Sequence, residues 1–120
     1  MVLKNILLVV ENIEKSAAFY KELFGLQVIR DFGNNVILTE GLVLQEKKSW
    51  ELLIEREATC GGNGSELYFV ETDLEAFQEK LDQSSYEIEY VHRLKTYEWG
   101  QRAIRFYDPD GHMIEIGEMK

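Results

Sequence analysis

Trp99-Gly-Gln-Arg-Ala-Ile-Arg-Phe-Tyr-Asp-Pro-Asp-Gly-His-Met-Ile-Glu-Ile-Gly-Glu118 is the stretch from which the fold can be read. At its centre, Asp108-Pro109-Asp110-Gly111 suits a type I turn: Pro presets φ at the second position and Gly relieves the exit. Apolar-rich runs flank the turn, Arg102–Tyr107 before it and Met113–Gly117 after it, which is a β-hairpin pattern. Alternation along the second strand puts Met113 and Glu115 on one face and Ile114 and Ile116 on the other. A carboxylate therefore sits mid-strand behind a face that must cover a core. Pattern alone leaves open whether the Glu115 face is solvated or turned to a ligand.

Reading outward, the chain shows the same unit twice. Leu3–Val10 reads as a buried strand. Asn12 can cap a helix carrying Ile13, Ala17, Tyr20 and Phe24 at helical spacing, with Phe19 and Leu23 beside them, and Gly25 stops it. Strands follow at Leu26–Asp31, Val36–Thr39 and Leu42–Glu46. In the second half, Glu66–Glu71 is a strand, and Asp73 can cap a helix with Leu74, Phe77 and Leu81 on one face. Thr72 with Glu75 offers a capping box instead. Tyr86–Leu94, Arg102–Tyr107 and Met113–Gly117 complete β-α-β-β-β a second time. Asn5–Glu14 aligns with Glu66–Glu75 at an offset of 61, and Gly41–Gln45 with Gly111–Glu115 at an offset of 70. Such an internal repeat is organisational information independent of any family. Lys47–Ser65 is the least legible part. Its Gly-rich end, Thr59–Ser65, reads as a linker or loop, and Trp50 suits packing better than a ligand wall.

At 120 residues the chain is one domain or two small modules sharing a core. A net charge of −9 and a pI near 4.7 argue against nucleic acid and anionic membrane surfaces as partners. No apolar run approaches the roughly 20 residues of a membrane span. Met1–Val10 runs into a charged segment without a signal-peptide layout, so a cytoplasmic location is expected. Cys60 is the single cysteine, so no internal disulfide or zinc cluster is available, and its glycine neighbours suggest a loop.

Trp-Gly-x-Arg, Phe-x-Asp-Pro-Asp-Gly and Ile-Glu, together with Asn12–Tyr20, closely resemble motifs of the glyoxalase/bleomycin-resistance/extradiol-dioxygenase (vicinal oxygen chelate) superfamily. The resemblance covers essentially the whole chain. It implies a single α+β domain of two βαβββ modules, about 1–54 and 66–120 with a linker at 55–65. The modules would form a curved mixed sheet with a shared cleft and with both helices on the convex side. It also implies a homodimer. Its metal-ligand positions correspond to Asn5, Gln45, Glu66 and Glu115. Metal-dependent members often carry His at the first and third of these and Glu at the second.

The set here holds two amides and two carboxylates. Such oxygen donors suit a weakly bound hard divalent ion such as Mg, Mn or Ca better than Zn, Ni or Fe, and no metal is favoured. His112 lies three residues before Glu115, on the opposite strand face, and His92 most simply reads as a surface residue. Two carboxylates in a dry cleft would repel, raising one pKa, unless an arginine neutralises them; Arg102 and Arg93 are the candidates. Tyr68, Tyr90, Tyr97 and Trp99 could wall the cleft, and Tyr68, Tyr90, Trp99 and Arg102 join Asn5 and Gln45 as candidate ligand contacts. The expected function is metal-independent binding of a small organic molecule. The alternative is a divalent-metal-dependent lyase, isomerase or dioxygenase in which Glu66 and Glu115 are the catalytic groups. An interaction module with a vestigial cleft is a third reading.

Overall fold

The computed structural model describes residues 1–119. It is α+β, and the chain divides into two compact units, the first Met1–Gly61 and the second beginning at Gly62. Each unit is a β-α-β-β-β module with a four-stranded mixed sheet.

In the first unit, β1 (Ile6–Val10), β2 (Val28–Asp31), β3 (Asn35–Leu38) and β4 (Leu42–Glu46) form a sheet in the order β1-β4-β3-β2. The β1–β4 pair is parallel and the others are antiparallel. Helix α1 (Ile13–Phe24) begins where Asn12 Oδ1 accepts from Lys15 N at 3.0 Å and ends at Gly25, whose φ is +72°. It packs on β3 and β4. The buried stripe is Ser16, Phe19, Tyr20 and Leu23: of the expected line through Ile13, Ala17, Tyr20 and Phe24 only Tyr20 is fully buried, and the stripe is completed by Phe19 and Leu23 beside that line. The two aromatic rings at Phe19 and Tyr20 carry more apolar area than the alanines and set the rotation. They meet edge to face, with centroids 5.3 Å apart.

Lys47–Ile54, illegible in the sequence, is a helix (α2) that leaves β4 directly. Glu46 caps it by accepting from Ser49 N at 3.1 Å, an uncommon cap residue. Trp50 is half-buried on α2, while Leu52 and Leu53 are exposed.

In the second unit, β5 (Gly62–Glu71), β6 (Tyr90–Thr96), β7 (Arg102–Tyr107) and β8 (His112–Glu118) form a sheet in the order β5-β8-β7-β6. Residues 62–65 extend β5 rather than the expected loop: Gly62 pairs with His112, and the register then shifts before Glu66 pairs with Met113. The sixth strand starts at Tyr90, later than expected, and just ahead of it Glu89 O accepts from Tyr107 N at 3.0 Å. Helix α3 (Leu74–Gln83) is capped by Asp73, whose Oδ1 accepts from Ala76 N at 2.9 Å; the Thr72–Glu75 capping box does not form. Leu74, Phe77 and Leu81 are buried as the spacing required, with the Phe77 ring 6.5 Å from that of Phe106.

The hairpin turn forms as read. Gly111 N donates to Asp108 O at 3.0 Å, and Asp108 Oδ1 accepts from the amides of Asp110 and His112. The turn sets the β7–β8 register at Tyr107↔Met113, Phe106↔Ile114 and Arg105↔Glu115.

Candidate functional site in the second unit

Side chains alternate across a strand, so the core residues fix the other face. Ile104 and Phe106 turn into the core, which leaves Arg105 on the face away from α3. Ile114 and Ile116 do the same for Glu115, and Glu66 and Tyr68 follow from the β5–β8 register. Glu115 is only 6% exposed, so its face is not the solvated one that pattern alone permitted.

Arg105 stands at the centre. Its Nε donates to Glu66 Oε1 at 2.9 Å, its Nη2 to Glu115 Oε1 at 2.5 Å and its Nη1 to the Tyr97 hydroxyl at 2.6 Å. The planar fork suits this task, because several donors diverge from one fixed plane. Tyr97 reaches His92 Nε2 at 2.5 Å, and His92 Nδ1 lies 2.9 Å from the Arg93 carbonyl. A carbonyl only accepts, so Nδ1 carries the ring proton and Nε2 accepts from Tyr97. Beyond Tyr97, a tight turn presents Trp99 and Gln101. Trp99 stacks on Tyr97 with centroids 4.6 Å apart and planes 3° from parallel. Gln101 links Trp99 to Glu115, accepting from Trp99 Nε1 and donating to Glu115 Oε2 at 3.3 Å. Lys95 Nζ sits 4.7 Å from the centre of the Tyr97 ring. Tyr68 leans over Gly117 so closely that a β-carbon there would lie 2.1 Å from its hydroxyl.

Several expected participants lie elsewhere. Arg102 is on the helix-facing side of β7, paired with Glu75 and, at 3.2 Å, with Glu118. Tyr90 also faces α3, joining Gln78 and Asp82, and Arg93 grips Asp82 through both terminal nitrogens. The neutralising arginine is thus Arg105, in place of the expected Arg102 or Arg93. It could have been found by counting register outward from the 108–111 turn, since that pairs position 105 with 115. His92 likewise belongs to the site rather than to the bare surface.

Asn5 and Gln45 belong to the first unit. Asn5 is exposed just ahead of β1, with its Oδ1 close to Gly41. Gln45 is buried, accepting from Asn35 Nδ2 at 2.8 Å and donating to Ser49 Oγ at 2.9 Å. Asn35 pairs with Gln45 as Arg105 pairs with Glu115, at the same offset of 70. The repeat therefore carries an amide pair in one copy and an ion pair in the other.

This architecture agrees with what known proteins show. The model of the glyoxalase-like domain matches residues 3–120. The chain belongs to this glyoxalase-like family. Among solved structures, a protein of unknown function from Agrobacterium tumefaciens C58 is 36% identical, with a TM-score of 0.86, over 100% of this chain and 95% of that one. A glyoxalase-related enzyme from Fulvimarina pelagi shares the fold at 19% identity, with a TM-score of 0.83, over 98% of this chain and 88% of that one. A member of the glyoxalase/bleomycin resistance protein/dioxygenase superfamily from Sphaerobacter thermophilus does so at 22% identity and a TM-score of 0.76, over 99% and 98%. No curated protein matches. No helix among the described residues is long and apolar enough to cross a membrane.

The glyoxalase-like resemblance raises the question of a metal. Between Glu66 and Glu115 the cationic position is already filled by the Arg105 guanidinium, so the residues present do not fit a divalent ion there. Asp108, Asp110 and His112 form a second grouping whose donor atoms lie within 4.8 Å of one another. There Asp108 already accepts from two backbone amides and contacts His112 Nδ1 at 2.8 Å, bonds that shape the hairpin turn.

Burial pushes the Glu115 carboxyl above its ordinary value of 4.5, helped by the Glu66 carboxyl beside it and opposed by Arg105. Burial pulls the Arg105 guanidinium down, but its bonds to Glu66 and Glu115 outweigh this and raise it well above its ordinary value. The folded protein therefore holds the Glu115 proton more tightly than the unfolded chain does. That contribution to stability is complete below 4.5 and is lost as pH rises through the folded value. Relative to wild type, Glu115→Gln should gain stability across that window. Thermal melts of both proteins from pH 4 to 8 check this; a difference that stays flat or falls with pH would contradict it.

Proposed function

We propose that this protein binds a small organic molecule on the face of the second sheet that carries Glu66, Glu115, Trp99 and Tyr68, without a tightly held transition metal. The observation that supports this reading most is that Arg105 neutralises only one of two carboxylates that share a position beside exposed aromatic rings. Trp99 is 72% exposed and Tyr68 is 53% exposed, an unusual investment of apolar surface next to a buried charge. A ligand with a flat apolar portion would cover the indole. Hydrogen-bond donors, or a positive charge, would meet the remaining carboxylate capacity. On this reading Glu66, Glu115, Trp99 and Tyr68 contact the ligand, Arg105 and Gln101 hold the carboxylates in place, and the protein acts as a homodimer.

The test is a thermal-shift screen of small organic molecules followed by titration. Trp99→Ala should leave the melting temperature within a degree or two, because an exposed ring contributes little to the core. It should weaken the hit at least tenfold, about 1.4 kcal/mol. Unchanged affinity would move the ligand off this face. Elemental analysis of protein purified without an affinity tag separates the alternative: near one equivalent of Zn, Ni or Fe per chain would favour the metal-dependent lyase, isomerase or dioxygenase.

A further inference from the structure

We propose that Arg105 is the resident cation of this site: its guanidinium stands between the carboxylates of Glu66 and Glu115, beside His92, and closes that position to metal ions. The proposal extends the metal-free part of the reading above and does not depend on which organic molecule binds.

Three features carry it. First, the guanidinium spends each of its nitrogens on a different partner: Nε on Glu66, Nη2 on Glu115 and Nη1 on Tyr97. Its Nη1 also lies 3.4 Å from His92 Nε2. Two carboxylates, a phenol and an imidazole thus surround one positive group, as ligands surround an ion.

Second, the imidazole is set up as a ligand would be. Its Nδ1–H is held by the Arg93 carbonyl, which fixes the tautomer and leaves the Nε2 lone pair to the Tyr97 hydroxyl at 2.5 Å, with Arg105 Nη1 on the same side at 3.4 Å. That is the outer hydrogen bond by which metal-binding histidines are usually oriented.

Third, the charge balance is one short. Two carboxylates against one guanidinium leave a net −1, whereas a divalent ion would bring the group to zero. Oxygen donors with one imidazole suit a hard or borderline ion such as Mn²⁺.

The corresponding position of the first unit supports the same view from the other side. There Asn35 stands where Arg105 would be and Gln45 where Glu115 would be, and the pair is uncharged. A cation and its anion are present together in one copy and replaced together in the other.

The experiment uses Mn²⁺ alone as the probe, with wild type, Arg105→Ala, Arg105→Gln and the triple variant Arg105→Ala/Glu66→Gln/Glu115→Gln. Free Mn²⁺ is counted by its electron paramagnetic resonance signal, and melting temperature is followed in parallel. Wild type should bind Mn²⁺ weakly and show no thermal shift. Arg105→Ala should bind about one equivalent at least tenfold more tightly than wild type, and its melting temperature should rise with Mn²⁺ by mass action. The triple variant should lose both effects. A structural role for Arg105 alone would lower stability without creating any affinity for metal.

The proposal is overturned if folded Arg105→Ala binds Mn²⁺ no better than wild type, or if the triple variant binds as well as the single one. It is equally overturned if wild type takes up a tight equivalent with Arg105 in place. If Arg105→Ala folds only when Mn²⁺ is present, the proposal is supported. If it folds under neither condition, Arg105→Gln decides by the same criteria. Should neither variant fold with or without Mn²⁺, Arg105 is a requirement of the fold rather than an exchangeable cation, and the proposal fails.

Discussion

Replacing Glu66 and Glu115 together by Gln should cost about 2–3 kcal/mol of stability, while Glu115→Gln alone should cost nothing or add a little. The sequence alone suggests the opposite for the pair, because two carboxylates in a dry cleft would repel and their removal would relieve strain. Arg105 reverses the sign. Its side chain is 23% exposed and cannot give up its proton, so it needs an anion within reach. With Glu115 neutral, Glu66 still serves at 2.9 Å. With both gone, the guanidinium keeps hydrogen-bond acceptors but loses every formal countercharge that it touches. The two substitutions should therefore be non-additive, with the double variant falling below the sum of the single ones. Urea denaturation of all four proteins at neutral pH measures this. A double variant as stable as wild type would mean that the ion pairs contribute nothing and that the site is held by the sheet alone. The ligand found by screening should bind the double variant at least tenfold more weakly. Retained affinity with lost stability would make the carboxylates structural and leave recognition to the aromatics.

Phe106→Ala should be more damaging still, at about 3–5 kcal/mol, the usual range for deleting a large buried aromatic. Phe106 is fully buried, with Phe77 of α3 at 6.5 Å and Tyr90 of β6 at 6.3 Å between ring centroids. It therefore joins helix and sheet in the second unit, and it is the strand neighbour of Arg105. Loss of the ring leaves a cavity that rigid strands on either side cannot close. Denaturant unfolding should show a lower midpoint. Circular dichroism at low temperature should retain the strand and helix signal if the variant still folds. A loss under 1 kcal/mol would place the core of that unit elsewhere.

The fold was legible because its punctuation is local. Asn12 and Gly25 bound α1, and Asp108 to Gly111 close the last hairpin, each by contacts within a few residues. Helix α2 was not, because its cap is the uncommon Glu46 and its Leu52-Leu53-Ile54 run faces outward instead of forming a buried stripe. Half of the site was legible for a similar reason. Glu115 stands out as a charge between two core isoleucines. Arg105 does not, since arginine in a strand is unremarkable until the residue opposite it is known. Arg102, the arginine of the Trp-Gly-x-Arg motif, is the more conspicuous one in the sequence, though an offset of three along a strand puts it on the other face from Arg105. Tyr90 was misplaced because its strand begins later than the apolar run suggested and carries register shifts on both sides of His92.

The hairpin turn has one more consequence, which concerns length rather than composition. Residues 105 and 115 meet because the loop between them has a fixed count, and Asp108 locks that count by bonding to Asp110 and His112. Substitutions at Pro109 or Asp110 leave the count intact. A single-residue insertion or deletion shifts it by one, and in a strand a shift of one exchanges inside for outside. Glu115 would then oppose a core side chain of β7, and either the acid or the apolar neighbour would be forced to the wrong side. Relatives that keep this ion pair should accordingly vary at the positions of Pro109 and Asp110 and scarcely at all in the number of residues of the turn.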